Sequence, residues 1–127
     1  MKKVILALVA SSVLALASET TVNATMSLMT QGMNQVQTGF LYSNRDDVVN
    51  GIKVMQDANS IFTKVDVATF IPHNTKTQVT KNINKNLTAS LKALQKAVEN
   101  KNMSDATKAY GEVTANCIAC HRIVRGW

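Results

Sequence analysis

Apolar residues recurring at three- and four-residue spacing, sparse chain punctuation and modest length together predict a single all-α domain. The 127-residue chain has 5 Gly and 1 Pro, whereas a β-sandwich needs a turn signal roughly every 8–12 residues. Its 46% apolar and 17% charged content supports a buried core and argues against wholesale disorder. A chain this short makes one domain rather than two. Its 2 cysteines are too few for a disulfide-dense scaffold.

The opening segment, MKKVILALVASSVLALAS, places Lys2 and Lys3 ahead of an apolar run over residues 4–16. A basic head, a short apolar centre and the small-residue site Ala15-Leu16-Ala17 describe a secretory signal peptide cleaved after Ala17. The run falls short of the roughly 20 apolar residues of a spanning helix, and Ser11 and Ser12 interrupt it. The expected mature domain is residues 18–127, exported to the periplasm and without a membrane span. Cleavage removes two lysines and no acid, so the formal charge drops from +6 to +4. That balance steers acidic partners only weakly. No Arg-rich run or aromatic platform points to nucleic acid.

The first helix of the mature chain is expected to start at Thr20 or Thr21, either able to cap it, and to end around Ser43-Asn44. Val22, Met26, Met29, Met33, Val36 and Phe40 fall on one face. The second starts at Asn44, with Asp46 and Asp47 in its first turn, where carboxylates suit the helix dipole. It aligns Val48, Ile52, Met55, Ala58 and Phe62, and Gly51 inside it costs about 1 kcal/mol relative to Ala. Phe70-Ile71-Pro72 breaks the chain. The third helix then carries Val79, Ile83, Leu87, Leu91, Leu94 and Val98 inward and Lys81, Lys85, Lys92 and Lys96 outward, stopping near Asn100-Lys101-Asn102. Ser104-Asp105 is expected to cap a fourth, with Ala106, Tyr110, Val113, Cys117, Cys120 and Val124 on one side. Four such helices with short connections pack as an antiparallel up-down-up-down four-helix bundle. The longest connection, residues 64–74, carries Val65, Val67, Phe70 and Ile71 and is expected to fold back onto the bundle.

Both cysteines fall in Cys117-Ile118-Ala119-Cys120-His121. C-x-x-C-H is the attachment signature of c-type haem. Two thiols three residues apart add to the two vinyl groups of one haem, and the adjacent histidine reaches the iron. Cys117 and Cys120 are therefore the expected thioether residues and His121 the proximal iron ligand. Zinc would want four ligands, with only His73 as a further strong candidate. A thioredoxin-like pair needs a βαβ context, and a 117–120 disulfide would staple almost nothing. Arg125, one helical turn after His121, either reaches the haem edge or serves as an exposed cation at the helix C-terminus. No Ser-His-Asp arrangement, carboxylate pair or phosphate-cradling loop is visible, so no enzyme activity is expected.

An export signal, four helical stretches and a late C-x-x-C-H together resemble the cytochrome c prime family, including its methionine-ligated low-spin relatives. The family's C-x-x-C-H-x-x-Y-R ending is matched by Cys117, Cys120, His121 and Arg125, while Val124 stands where Tyr is usual. The resemblance implies a bundle enclosing one covalently bound haem c, with the distal residue on the first helix. That residue is apolar in high-spin members and Met in low-spin ones. Leu28-Met29 is similar to the Leu-Met pair of low-spin members, which makes Met29 the expected distal ligand. Met26 and Met33 share its face and offer alternatives, and all three also suit flexible core packing. The implied protein is a monohaem one-electron carrier with transient redox protein partners, able to pair as a homodimer through its first two helices. The competing expectation is a five-coordinate haem protein that binds nitric oxide or carbon monoxide.

Overall fold

The computed structural model describes the backbone of residues 2–64, 71 and 73–127, and the side chains of 19–64, 71 and 73–127. Among the described residues there are four helices and no strand: α1 (Lys2–Leu41), α2 (Arg45–Lys64), α3 (Thr77–Glu99) and α4 (Met103–Arg125). Together they form a four-helix bundle in which α1 packs on α2, α2 on α3 and α3 on α4. None of them, over the described residues, is long and apolar enough to cross a membrane. The side chains of the expected signal segment, and Val65, Val67 and Phe70 of the long connection, lie outside the described residues. Ile71, the remaining apolar residue of that connection, is half-buried against Phe62.

Two turns of the same construction join α1 to α2 and α3 to α4. Ser43 and Lys101 each adopt the left-handed region, with φ of 56°. The amides of Asn44 and Asn102, one residue on, reach back to the carbonyls of Gly39 and Ala97 at 2.8 and 2.9 Å. This is the six-to-one closure of a Schellman motif, which satisfies carbonyls left free at a helix end. The same asparagines then cap the following helices. Asn44 Oδ1 accepts the amides of Asp46 and Asp47, and Asn102 Oδ1 accepts that of Asp105 at 3.1 Å. In return the asparagine amides donate to the carboxylates of Asp47 and Asp105.

Three expected boundaries and faces are corrected. Thr20 and Thr21 do not cap a helix start, because α1 runs through them from Lys2; the Ala- and Leu-rich segment ahead of them itself favours helix. Asn102, not Ser104-Asp105, caps α4, since its side chain reaches the third amide of the helix. Val79, expected inward, is exposed, and Thr80 is buried in its place. Burial of the Thr80 hydroxyl is compensated by donation to Thr77 O and by acceptance from Asn74 Nδ2.

Val36, Val48, Ile52, Met55, Leu91, Leu94, Ala106 and Val113 form the centre of the buried core. All of them belong to the stretches of helix adjoining the two asparagine-capped turns. α1 and α2 approach unusually closely there. A Cβ on Gly51 would lie 2.6 Å from Gly32 O and 2.8 Å from Val36 N, so only glycine permits this crossing. By contrast, α1 and α4 make no comparably close backbone approach over the described residues. Near the turns the gap between them is bridged by the edge-to-face pair Phe40–Tyr110, whose ring centroids are 5.6 Å apart. Farther from the turns it opens into a cavity.

Candidate functional site

The cavity has a volume of about 600 Å³ and lies between the walls of α1 and α4, floored by α3, with Phe62 and Ile71 also lining it. Such a volume falls in the usual range for a bound organic ligand, roughly 300–1,000 Å³. Each wall follows from helical periodicity. On α4 the cavity is lined by Asn116, Cys117, Cys120, His121, Val124 and Arg125, pairs of neighbours recurring once per turn. Facing them from α1 are Val22, Met26, Met29 and Met33, again at three- and four-residue spacing.

The methionine stripe was expected on the buried face of the first helix. In the structure Met26, Met29 and Met33 are half-buried and line the cavity, whereas Gly32, Val36 and Gly39 meet α2 and are buried, as is Thr25. The stripe divides: Met29 and Met33 pack against the main core together with Cys117, while Met26 joins Val22, Ile71 and Phe62 in a separate cluster. Five of the sequence-predicted positions therefore meet at one cavity: Met29, Cys117, Cys120, His121 and Arg125.

Burial governs the chemistry of the α4 wall. Both thiols are free and half-buried. Burial pushes the Cys117 thiol up from its ordinary range, with the neighbouring Cys120 adding to the effect, and burial also raises Cys120. His121 is shifted down, first by burial and second by the positive charge of Arg125. An imidazole kept neutral in this way retains the lone pair that a metal ligand requires. Arg125 is itself exposed at the cavity rim. Among the described residues no group of three or more His, Cys, Asp or Glu is arranged to hold a bare metal ion.

Several cavity residues were not expected at this site from the sequence. His73, weighed there only as a further zinc ligand, is exposed, in the left-handed region with φ of 59°, and lines the rim. Asn84 on α3 and Asn116 on α4 also line it, each tied to a neighbouring helix. Asn84 Nδ2 donates to Asn59 Oδ1 on α2 at 2.8 Å, and Asn116 Nδ2 donates to Ser90 Oγ on α3 at 3.2 Å. Polar residues on an otherwise apolar helix face look like noise until the opposing helix is known. Comparison with protein-family models, with curated proteins and with solved structures returned no match.

Proposed function

We propose that this chain is an exported, periplasmic monohaem c-type cytochrome whose function is one-electron transfer. The observation that carries the reading is the cavity: Cys117, Cys120 and His121 line one wall and three methionines line the other. The donor set fits the group. Cys117 and Cys120 would hold haem through two thioether bonds, His121 would ligate the iron from α4, and the mainly apolar remaining wall suits a porphyrin face. Arg125 at the rim would meet the haem edge. When bound, haem supplies a one-electron iron couple, with its tuning left to the protein's ligands and surroundings.

We read the bundle as antiparallel, and its register supports Met29 as the distal ligand. Phe40 and Tyr110 touch across α1 and α4, which sets the two helices level at that point. Eleven residues separate Met29 from Phe40, and eleven separate Tyr110 from His121. At 1.5 Å per residue both lie about 16 Å from the aromatic pair. Met26 and Met33 lie about one turn to either side. Packing of Met29 in the same cluster as Cys117 supports the same choice over Met26.

His121 would supply an imidazole and Met29 a thioether to the iron, which would leave no open position for a substrate. A soft thioether raises the reduction potential, and the half-buried walls limit access of water to the site. Docking of acidic redox partners on the net positive surface would be weak and salt-dependent. The visible absorption spectrum tests the reading: a low-spin ferric form with a sulfur-to-iron charge-transfer band is expected. High-spin features without that band would overturn electron transfer by His/Met haem in favour of a five-coordinate, gas-binding protein.

A further inference from the structure

Resting on the haem reading above, a chain of hydrogen bonds across α2 and α3 leads to one acceptor at the cavity wall. Asn59 is buried, and its amide must be fully bonded to be tolerated there. Its Nδ2 donates to Thr88 Oγ1 at 2.8 Å, and that hydroxyl donates its single proton to the Asn84 main-chain carbonyl at 3.0 Å. With the Thr88 proton turned that way, Thr88 Oγ1 accepts from Asn59 Nδ2, and Asn59 Oδ1 accepts from Asn84 Nδ2 at 2.8 Å. Asn84 Oδ1 is left as an acceptor that receives no hydrogen bond from a described residue, on a side chain that lines the cavity.

The height of Asn84 matches that of His121. Asn116 and Ser90 are joined across α4 and α3. Asn84 lies six residues before Ser90, and His121 five residues after Asn116. On antiparallel neighbours those offsets leave the two about one residue's rise apart, roughly 1.5 Å. Asn116 also carries an amide in the cavity but belongs to the same helix as His121, five residues back and about 140° around the axis. We propose that Asn84 is a positioning residue for His121, its Oδ1 accepting the imidazole Nδ1–H while Nε2 faces the iron. An acceptor there selects the tautomer, fixes the ring plane and makes the ligand nitrogen more basic.

The test uses the haem-loaded protein and three variants. Asn84→Ala removes the acceptor, Asn84→Asp replaces it with a stronger one, and Thr88→Val disturbs the same chain away from the cavity. A more basic imidazole favours ferric iron. Asn84→Ala is therefore expected to shift the redox equilibrium toward the reduced form about tenfold, about 59 mV for one electron. Asn84→Asp is expected to shift it the other way, with Thr88→Val close to the parent. In the ferrous parent the His121 Nδ1–H is expected to exchange slowly with solvent by NMR, a measurement that depends on no variant folding. A shift below twofold in Asn84→Ala with the parent's spectrum retained, an equal shift in Thr88→Val, or fast exchange of that proton would each overturn the inference alone. A parent without covalent haem would take down both this inference and the function it rests on.

Discussion

The close crossing of α1 and α2 makes Gly51→Ala the most informative single perturbation of the fold. A Cβ at this position would meet Gly32 O at 2.6 Å and both Val36 Cγ2 and Val36 N at 2.8 Å. The valine methyl can turn aside, but the carbonyl and the amide belong to the backbone. The helices must then part by about 1 Å to restore ordinary contact. Overpacking of this kind costs about 1–3 kcal/mol, and two backbone contacts put it near the upper end. Better helix propensity returns up to about 1 kcal/mol. The net expectation is a loss of about 2 kcal/mol, lowering the melting temperature by roughly 7–9 °C. Gly111→Ala is the matched control: nothing lies within 4 Å of its Cβ, so it should gain about 0.4–1 kcal/mol. Thermal and urea unfolding followed by far-UV circular dichroism measures both. A Gly51→Ala protein as stable as the parent, or stabilised like Gly111→Ala, would refute the crossing argument.

Three further outcomes are expected. Met29→Ala should convert the haem protein from a low-spin to a high-spin absorption spectrum, while Met26→Ala and Met33→Ala keep the parent's spectrum. Lys101→Gly should stabilise by about 0.5–1 kcal/mol in urea melts, because Lys101 sits at φ 56°, where a Cβ is costly and glycine is not. In the haem-free chain, His121 should titrate by NMR below its ordinary value of 6.5, and Arg125→Gln should move the midpoint upward. Since the folded state disfavours the imidazolium, His121's contribution to stability is present above about pH 6.5 and is lost as pH falls through the folded midpoint. Urea midpoints that rise on acidification from pH 7 to 5 would contradict this for the His121 site.

The helices were legible because burial of one face imposes a 3.6-residue period on the chain, and Leu87, Leu91, Leu94 and Val98 keep that period closely. Pairing between helices leaves no such trace. Gly51 therefore read as a weak point of α2 and turns out to be a contact made possible by the missing Cβ. Val79 and Thr80 exchanged places for a related reason: hydropathy favours the valine, but the hydroxyl has local partners that let threonine go inside. The methionine stripe was visible as a face, although hydropathy cannot distinguish a face against a neighbouring helix from one against a cavity. The C-x-x-C-H segment stood out as a motif because it lies within five consecutive residues, and the structure brings Cys117, Cys120 and His121 to one cavity. His73, Asn84 and Asn116 did not stand out, since what places them at the cavity is tertiary.

Covalent attachment of haem is the claim on which the remaining chemistry depends, and denaturation tests it most directly. The full 127-residue chain, expressed in a host that exports and matures c-type cytochromes, is denatured and then examined by haem-stained gel and intact mass. The account predicts a stained band and a mass higher by one haem, both abolished in a Cys117→Ala/Cys120→Ala chain. An unstained parent with the mass of polypeptide alone would contradict it.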